Sequence, residues 1–417
     1  MILGLPLPLR AYNQNMQIAL IKERKSPPDL RVALTPNQCQ KLKEQFPDLD
    51  IVVESSEHRT FKDSEYQDVG INVVELASEA DVLLGIKEVP IQALINNKTY
   101  FFFSHTIKKQ DYNRVMLQEI IRKEIRLIDY ECLEQPEGRR LLGFGHWAGV
   151  VGAYNGLLTW GKKYKTFDLK PAYECADYDE LKLELQKIRD QLPNLRIGLT
   201  GTGRVSNGAL EVLRFIGLEE VSPKDFITKT HDNPVFTNFL NRHIYKKKEH
   251  PDHAWDMQHF YTNHGLYEGD FSKYLSHTDL LINGFYWEPS LDPLFTKSDT
   301  AKDSFAIKVI ADITCDVEGS IPITLRATYP SDPTFGWDPI SQKEIPPFSA
   351  NGIDVMAVTV LPTELPKNAS ADFGEMISEH IIPLLVNGDQ HDILKRATIT
   401  QDGKLTEKFS FLADFVE

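Results

Sequence analysis

At 417 residues the chain is too long for one small hydrophobic core, so two domains of roughly 150 to 250 residues are expected. Its 41% hydrophobic, 10% aromatic and 25% charged residues are those of a folded, soluble protein and exclude extensive disorder. A formal charge of −14 excludes a nucleic-acid partner, because phosphate backbones need a basic face and the run YKKKEH at 245–250 is short and set among acids.

The first residues, MILGLPLPLRAYNQ, are apolar for only nine positions, hold two prolines and lack a basic leader region, so a cytoplasmic location is expected. Next come short β-branched runs, MQIALIK (16–22) and DIVVE (50–54), separated by PNQCQKLKEQF, a helical spacing with Pro36 in its first turn. The rhythm recurs through ADVLLGIKEV (80–89), TYFFFSHT (99–106), the charged helical stretch 110–124 and IRLIDYE (125–131). Alternating strands and helices predict an α/β fold with a parallel, doubly wound sheet.

The tract Phe144 to Trp160 falls short of the ~20 residues a bilayer needs and contains His146, Tyr154 and Asn155, so no membrane association is expected. We read 144–164 as a small-residue helix connecting two domains, followed by an acidic helix near 178–192. RIGLTGTGRVSNGALEVLRFIG (196–217) is then a strand, a glycine turn and an amphipathic helix. Gly201 and Gly203 give G-x-G where backbone N–H groups and a helix N-terminus can hold a pyrophosphate, with Arg204 and Val205 opening the helix. The third fingerprint position is Ser206, not glycine, and a plain packing turn is the alternative. The ribose-binding acid belongs ~20 residues on; Glu219 and Glu220 are near that distance, but neither clearly ends a strand.

HTDLLINGFYWE (277–288) and IKVIADITCDVEGSI (307–321) each read as a buried strand followed by polar or glycine residues. Because ligands sit at the carboxyl ends of strands in open α/β sheets, Asn283, Gly284, Asp312 and Asp316 are candidates to line a nicotinamide, with turns or caps as the alternative. Towards the C-terminus a strand near 355 precedes a proline-rich turn and a helix with Ser370 as its N-cap; the tail has two short strands around Asp402-Gly403 that return to the first domain. The expected domains are 12–148 completed by 388–417, and 149–387.

The same carboxyl-end rule singles out Lys87 and Glu88 after VLLGI, His105 after YFFF, and Asp129 and Glu131 in LIDYE. Grouped ionisable residues, partly desolvated, are where proton transfer at neutral pH becomes feasible. Arg31, Arg139 and Arg140 add guanidinium groups able to grip carboxylates. Four scattered cysteines, Cys39, Cys132, Cys175 and Cys315, fit a reducing compartment better than a disulfide scaffold. Six histidines between 231 and 264 lack metal-ligand spacing, and no metal is expected.

IKERKSPPDLRVALTP resembles the N-terminal signature shared by alanine dehydrogenase, the transhydrogenase nucleotide-binding subunit and the saccharopine dehydrogenases. Together with LLGIKEVP, YFFFSHTIK, IRLIDYE, FGHWAGVVGAYN, TGTGRVSNGA, LINGFYWE, ADITCDVEGSI and the LP-x-x-LP-x-x-AS-x-x-FG segment at 361–374, it resembles more narrowly the lysine–ketoglutarate reductase branch, the L-lysine-forming saccharopine dehydrogenases. The resemblance implies two Rossmann-like domains with the active site in the cleft between them. It implies a reaction joining the ε-amine of L-lysine to the keto carbon of 2-oxoglutarate, with an NAD or NADP hydride reducing the imine to saccharopine, or the reverse. Lys87 and His105 match the family's acid–base pair, Glu88 and Glu131 acidic residues near the substrate amine, and Arg31 a substrate-carboxylate arginine; Arg139 or Arg140 is a looser match. Some family members carry a fused second enzyme, and here the resemblance covers only the reductase. Other readings stay open: alanine dehydrogenase-like or another amine–keto acid reductase, or a non-catalytic nucleotide-binding sensor. So do NAD against NADP, reaction direction and a homo-oligomer.

Overall fold

The computed structural model describes residues 16–26, 29–249 and 254–417. The N-terminal stretch used for the location expectation lies outside them, as do His250 and His253. The chain divides into two units: the described part of Met1–Gly143 with Pro366–Glu417, and Phe144–Leu365.

The first unit starts with β1 (Gln17–Leu20) and α1 (Pro36–Gln45). Helix α1 begins where expected for local reasons: Thr35 accepts from the Gln38 N–H, the Gln38 side chain accepts from the Thr35 N–H, and Pro36 occupies a position whose N–H would have no helical partner. Then follow β2 (Asp50–Glu54), α2 (Asp63–Asp68), β3 (Asn72–Val74), β4 (Val82–Leu84), β5 (Thr99–Phe102), α3 (Asp111–Arg122) and β6 (Arg126–Asp129). All six strands run parallel, in the order β6-β5-β4-β1-β2-β3. Tyr100, Phe101 and Phe102 are buried on both faces of β5, as a central parallel strand requires, and each burial is worth about 2–3 kcal/mol. The strand order reverses at β1 and β4, so the chain leaves these strands at a crevice on their carboxyl side.

The second unit opens with α4 (Gly145–Tyr164) and α5 (Tyr178–Ile188), then β7 (Arg196–Thr200), α6 (Arg204–Phe215), β8 (Glu219–Glu220), α7 (Pro223–Thr228) and β9 (Val235–Phe239). After α8 (Asn241–Ile244) come an antiparallel pair, β10 (Tyr245–Lys247) and β11 (Tyr267–Gly269), flanking α9 (Met257–Thr262). β12 (Leu280–Asn283), β13 (Val309–Asp312), β14 (Thr334–Asp338), β15 (Lys343–Ile345) and β16 (Ile353–Met356) complete a sheet of order β15-β14-β16-β13-β12-β7-β9-β8. Strands β8 to β16 along that order are parallel, with β14 and β15 antiparallel at one edge. The expected strand near 355 is β16; the following LPTE is a short 3₁₀ turn.

Helix α4 explains its glycines by contact. A Cβ on Gly149 would lie 1.8 Å from the Val205 carbonyl oxygen, and one on Gly208 would lie 2.0 Å from that of His146. Two backbones therefore meet at van der Waals range where α4 crosses α6, directly behind the glycine turn. Among the described residues no helix is long and apolar enough to cross a membrane.

The chain re-enters the first unit at α10 (Pro366–His380), earlier than the expected 388. The reason lies in its packing on the α1 end of the first unit: Ser370 Oγ accepts from the Val32 N–H at 2.9 Å, and Gln38 Nε2 donates to the Ala371 carbonyl at 2.7 Å. Ser370 is thus inside the helix and not its N-cap, its hydroxyl donating back to the Pro366 carbonyl at 2.6 Å. The tail forms β17 (Thr398–Gln401) and β18 (Lys404–Leu405), turning through Asp402 and Gly403 at positive φ and adding antiparallel to β6.

Gly208→Ala should lower stability by about 3 kcal/mol, the upper part of the range for overfilling a packed interior. Urea unfolding measures it. Alanine is favoured over glycine by ~1 kcal/mol in a helix, so an unchanged or raised midpoint would mean the helices are not in backbone contact.

Candidate functional site

Three loops leaving the carboxyl ends of β4, β5 and β6 bring most of the expected residues of the first unit together. His105 follows β5 in a left-handed conformation (φ 54°, ψ 13°), uncommon for a side-chain-bearing residue and typical of positions that the surroundings hold in place for function. Its Nδ1 lies 2.8 Å from Glu88 Oε1, and the other oxygen of Glu88 accepts from Lys25 Nζ at 2.9 Å. Glu88 is only 8% exposed. Burial alone would push its carboxyl up, but the hydrogen bonds from His105 and Lys25 win and hold it down at about 2. Glu88 is therefore ionised throughout the physiological range.

Lys87 precedes it on the same loop. Its backbone N–H and that of Ile86 donate to the two oxygens of Glu23, at 2.9 and 2.7 Å. Burial, followed by the Arg31 guanidinium, lowers the Lys87 ammonium from its ordinary value and eases loss of its proton. Glu23 shifts the opposite way: burial, reinforced by Asp29, raises it to about 8. Two groups with pKa values pulled towards each other from opposite ends are the arrangement proton transfer needs. Glu23 was missed by the sequence reading, although it follows β1 and the same carboxyl-end rule would have found it.

Below the site, Asp129 ties two loops together. It accepts from the Ser104 N–H at 3.0 Å, from the Ser104 hydroxyl, and from the Glu131 N–H at 2.7 Å. It thus fixes the residues flanking His105 and Glu131 and is itself fully buried. Glu131 Oε1 lies 3.3 Å from Lys108 Nζ and 3.1 Å from Arg140 Nη2, whose charges outweigh its burial and keep its pKa low. Its second oxygen is buried without a hydrogen-bond partner.

Two of the expected substrate-binding arginines are differently engaged. Arg31 is 5% exposed and pairs bidentately with Asp29, Nε to Oδ1 at 2.9 Å and Nη2 to Oδ2 at 2.6 Å, so Asp29 occupies the edge a substrate carboxylate would use. Arg139 is exposed and donates to Gln135 Oε1 within its own loop, at 3.1 and 2.9 Å. Arg140 alone of the Arg139-Arg140 pair joins the cluster.

In the second unit, the glycine turn takes the form the motif needs. Gly201 has φ 107°, and a Cβ there would meet Ser206 Oγ at 2.4 Å and the Gly284 carbonyl at 2.9 Å. Gly203 is the N-cap of α6 with no side-chain cap, and a Cβ on it would meet nothing within 4 Å. The uncapped first turn of a twelve-residue helix behind an open glycine fits a dinucleotide's pyrophosphate. Arg204 is exposed and Val205 half-buried at that opening, and Gly284 closes against Val205.

Asn283 and Asp312 do not line it with their side chains. Both are fully buried: Asn283 accepts from Thr200 Oγ1 (2.8 Å) and donates to Asp312 Oδ1 (2.9 Å) and Ser320 Oγ (2.9 Å), while Asp312 accepts from Thr324 Oγ1 (2.6 Å). These bonds brace β7, β12 and β13 beneath the turn. Asp316 sits in an exposed turn, its carbonyl accepting from the Gly319 N–H at 3.0 Å. Glu219 and Glu220 form β8 and pair with Val235 and Phe236, level with the start of β7 and remote from Gly201.

The ordinary carboxyl pKa of Glu88, 4.5, falls to about 2 on folding. A depressed carboxylate contributes stability that is present above the unfolded value and is lost as pH falls through the folded one. Glu88→Gln should therefore be less stable than the parent near pH 7, and urea midpoints of the two should converge between pH about 4.5 and about 2. A gap that stays constant over that interval would show that Glu88 is not held ionised by its partners.

The chain is similar to known proteins over most of its length. Residues 19–151 match the family model "Alanine dehydrogenase/PNT, N-terminal domain". The chain is 29% identical to an alpha-aminoadipic semialdehyde synthase of Arabidopsis thaliana over 95% of its own length, which is 41% of that protein's. It is 26% identical to a saccharopine dehydrogenase [NAD(+), L-lysine-forming] of Yarrowia lipolytica, covering 89% of the chain and 92% of the relative. Among solved structures, an L-alanine dehydrogenase superposes with a TM-score of 0.65 over 96% of the chain and 100% of that protein at 15% identity, a likeness of fold.

Proposed function

Residues 19–151 belong to the alanine dehydrogenase/PNT N-terminal domain family and the chain is a homologue of saccharopine dehydrogenases; from that premise we propose that it is an NAD- or NADP-dependent oxidoreductase of saccharopine. The reaction is the joining of L-lysine and 2-oxoglutarate into saccharopine, or its reverse. The observation that carries this reading is the convergence of Lys87 and the Glu88-bound His105 at the carboxyl ends of neighbouring strands β4 and β5.

The chemistry divides among these residues as follows. The ε-amine must lose a proton before it attacks the keto carbon, and the resulting carbinolamine must lose water to become an imine. Lys87, whose ammonium gives up its proton more easily than usual, takes the proton from the incoming amine. His105, oriented by Glu88 through Nδ1, presents its other ring nitrogen to the carbinol oxygen and supplies the proton that leaves with water. A bound nicotinamide supplies the hydride that reduces the imine carbon. The unpartnered oxygen of Glu131 supports binding of a cationic amine, since a buried carboxylate oxygen is stabilised by gaining a charged donor. Arg140, beside Glu131, would hold a substrate carboxylate. Arg31 acts on Lys87 through its charge and holds Asp29.

Oxidation of NADH or NADPH, followed by absorbance, should require lysine and 2-oxoglutarate together. Oxidation with ammonia and pyruvate instead would replace this substrate assignment, and none with either mixture would contradict the enzyme reading. Lys87→Met and His105→Gln should each slow turnover roughly 10²- to 10⁴-fold, the usual range for general acid–base groups, in protein that remains folded. Near-parental turnover by His105→Gln would remove it from the mechanism.

A further inference from the structure

The carboxylate that marks an NAD site is read at the end of the strand lying beside the glycine-turn strand, where it hydrogen-bonds the adenosine ribose 2′-hydroxyl; sites for the 2′-phosphorylated form place an arginine there. In this chain that strand is not the next one in sequence. After α6 the backbone runs out to β8 at the sheet edge and returns through α7 to β9, which inserts between β8 and β7. The register pairs Thr200 with Phe239, and the Gly201 N–H donates to the Phe239 carbonyl at 3.0 Å. The residues leaving β9 beside the turn are therefore Leu240, Asn241, Arg242, His243 and Ile244, none of them acidic.

Arg242 is exposed, with Nε 3.3 Å from His243 Nε2. His243 Nδ1 accepts from the Leu240 N–H at 3.0 Å, which fixes the ring and the turn that carries Arg242. Asn241 is buried and donates to Tyr261 Oη at 3.1 Å. Asp270, whose N–H bonds the Ile244 carbonyl at 2.7 Å, is paired with Lys246 and Lys273. Burial, then Arg242 and Lys273, depress the His243 imidazole to about 4, as a locally positive field should.

We infer that Arg242, at the end of β9 beside the Gly201 turn, receives the 2′-phosphate of NADP(H), so that this nucleotide binds in preference to NAD(H). The inference rests on the reading of the Gly201 turn as a dinucleotide site. The physical basis is a difference of two terms: a 2′-phosphate gains a charge-assisted bond from Arg242, and no carboxylate at this strand end repels it.

Direct binding to the full chain tests it, through the fluorescence change of the reduced nucleotides and displacement by 2′,5′-ADP or 5′-AMP. NADPH should bind more tightly than NADH, and 2′,5′-ADP should displace better than 5′-AMP. Arg242→Ala and Arg242→Gln should weaken NADPH roughly 10- to 100-fold, the worth of one charge-assisted contact, and leave NADH little changed. Tighter NADH binding by the parent, or equal losses for both nucleotides in the variants, would overturn the inference while leaving a dinucleotide site. Binding of neither nucleotide would overturn the site reading itself, and this inference with it.

Discussion

A carboxylate sealed from water must be neutralised by partners or give up its charge, and Glu88 is neutralised from both sides by Lys25 and His105. That constraint organises the first unit's site. To satisfy Glu88, the loop after β5 must turn through the left-handed conformation of His105, and the loop after β1 must bring Lys25 across. Asp129 and Glu23 apply the same logic one layer down, each accepting backbone N–H groups from loops that carry functional side chains. Three carboxylates, Glu88 and Asp129 buried and Glu23 half-buried, thus convert the carboxyl edge of a parallel sheet into a rigid constellation.

The second unit reaches rigidity by different means. Its glycine turn is backed by two helices whose backbones touch at Gly149 and Gly208, and floored by the neutral and charged hydrogen bonds of Thr200, Asn283 and Asp312. Side chains are absent at the Gly203 opening and dense immediately behind it. Asn283 and Asp312 matter because they keep β7, β12 and β13 in register under the turn, which is a structural task and a demanding one for a fully buried aspartate.

Much of this could be read locally. Hydrophobic periodicity located β1, β2, β4, β5 and β6 in order, Pro36 marked α1, and the carboxyl-end rule placed Lys87, Glu88, His105 and Glu131 on one edge. What escaped depends on non-local pairing. The insertion of β9 between β7 and β8 follows from no spacing in the chain, so counting residues from the glycine turn led to Glu219 and Glu220 at the wrong end of the sheet. The rule identifies which residues lie near a strand end, but not whether a side chain turns outward to a ligand or inward to a hydrogen-bond network; Asn283 and Asp312 turn inward. Arg31 likewise has a partner two residues away that composition alone does not reveal.

The central claim is that Glu88 and His105 act as one unit. A double-mutant cycle on kcat/KM, comparing Glu88→Gln, His105→Gln and the combined variant, measures this directly. The account predicts strong coupling, the double variant losing little more than the His105 variant alone, because Glu88 works by orienting that imidazole. Losses that multiply independently would contradict it.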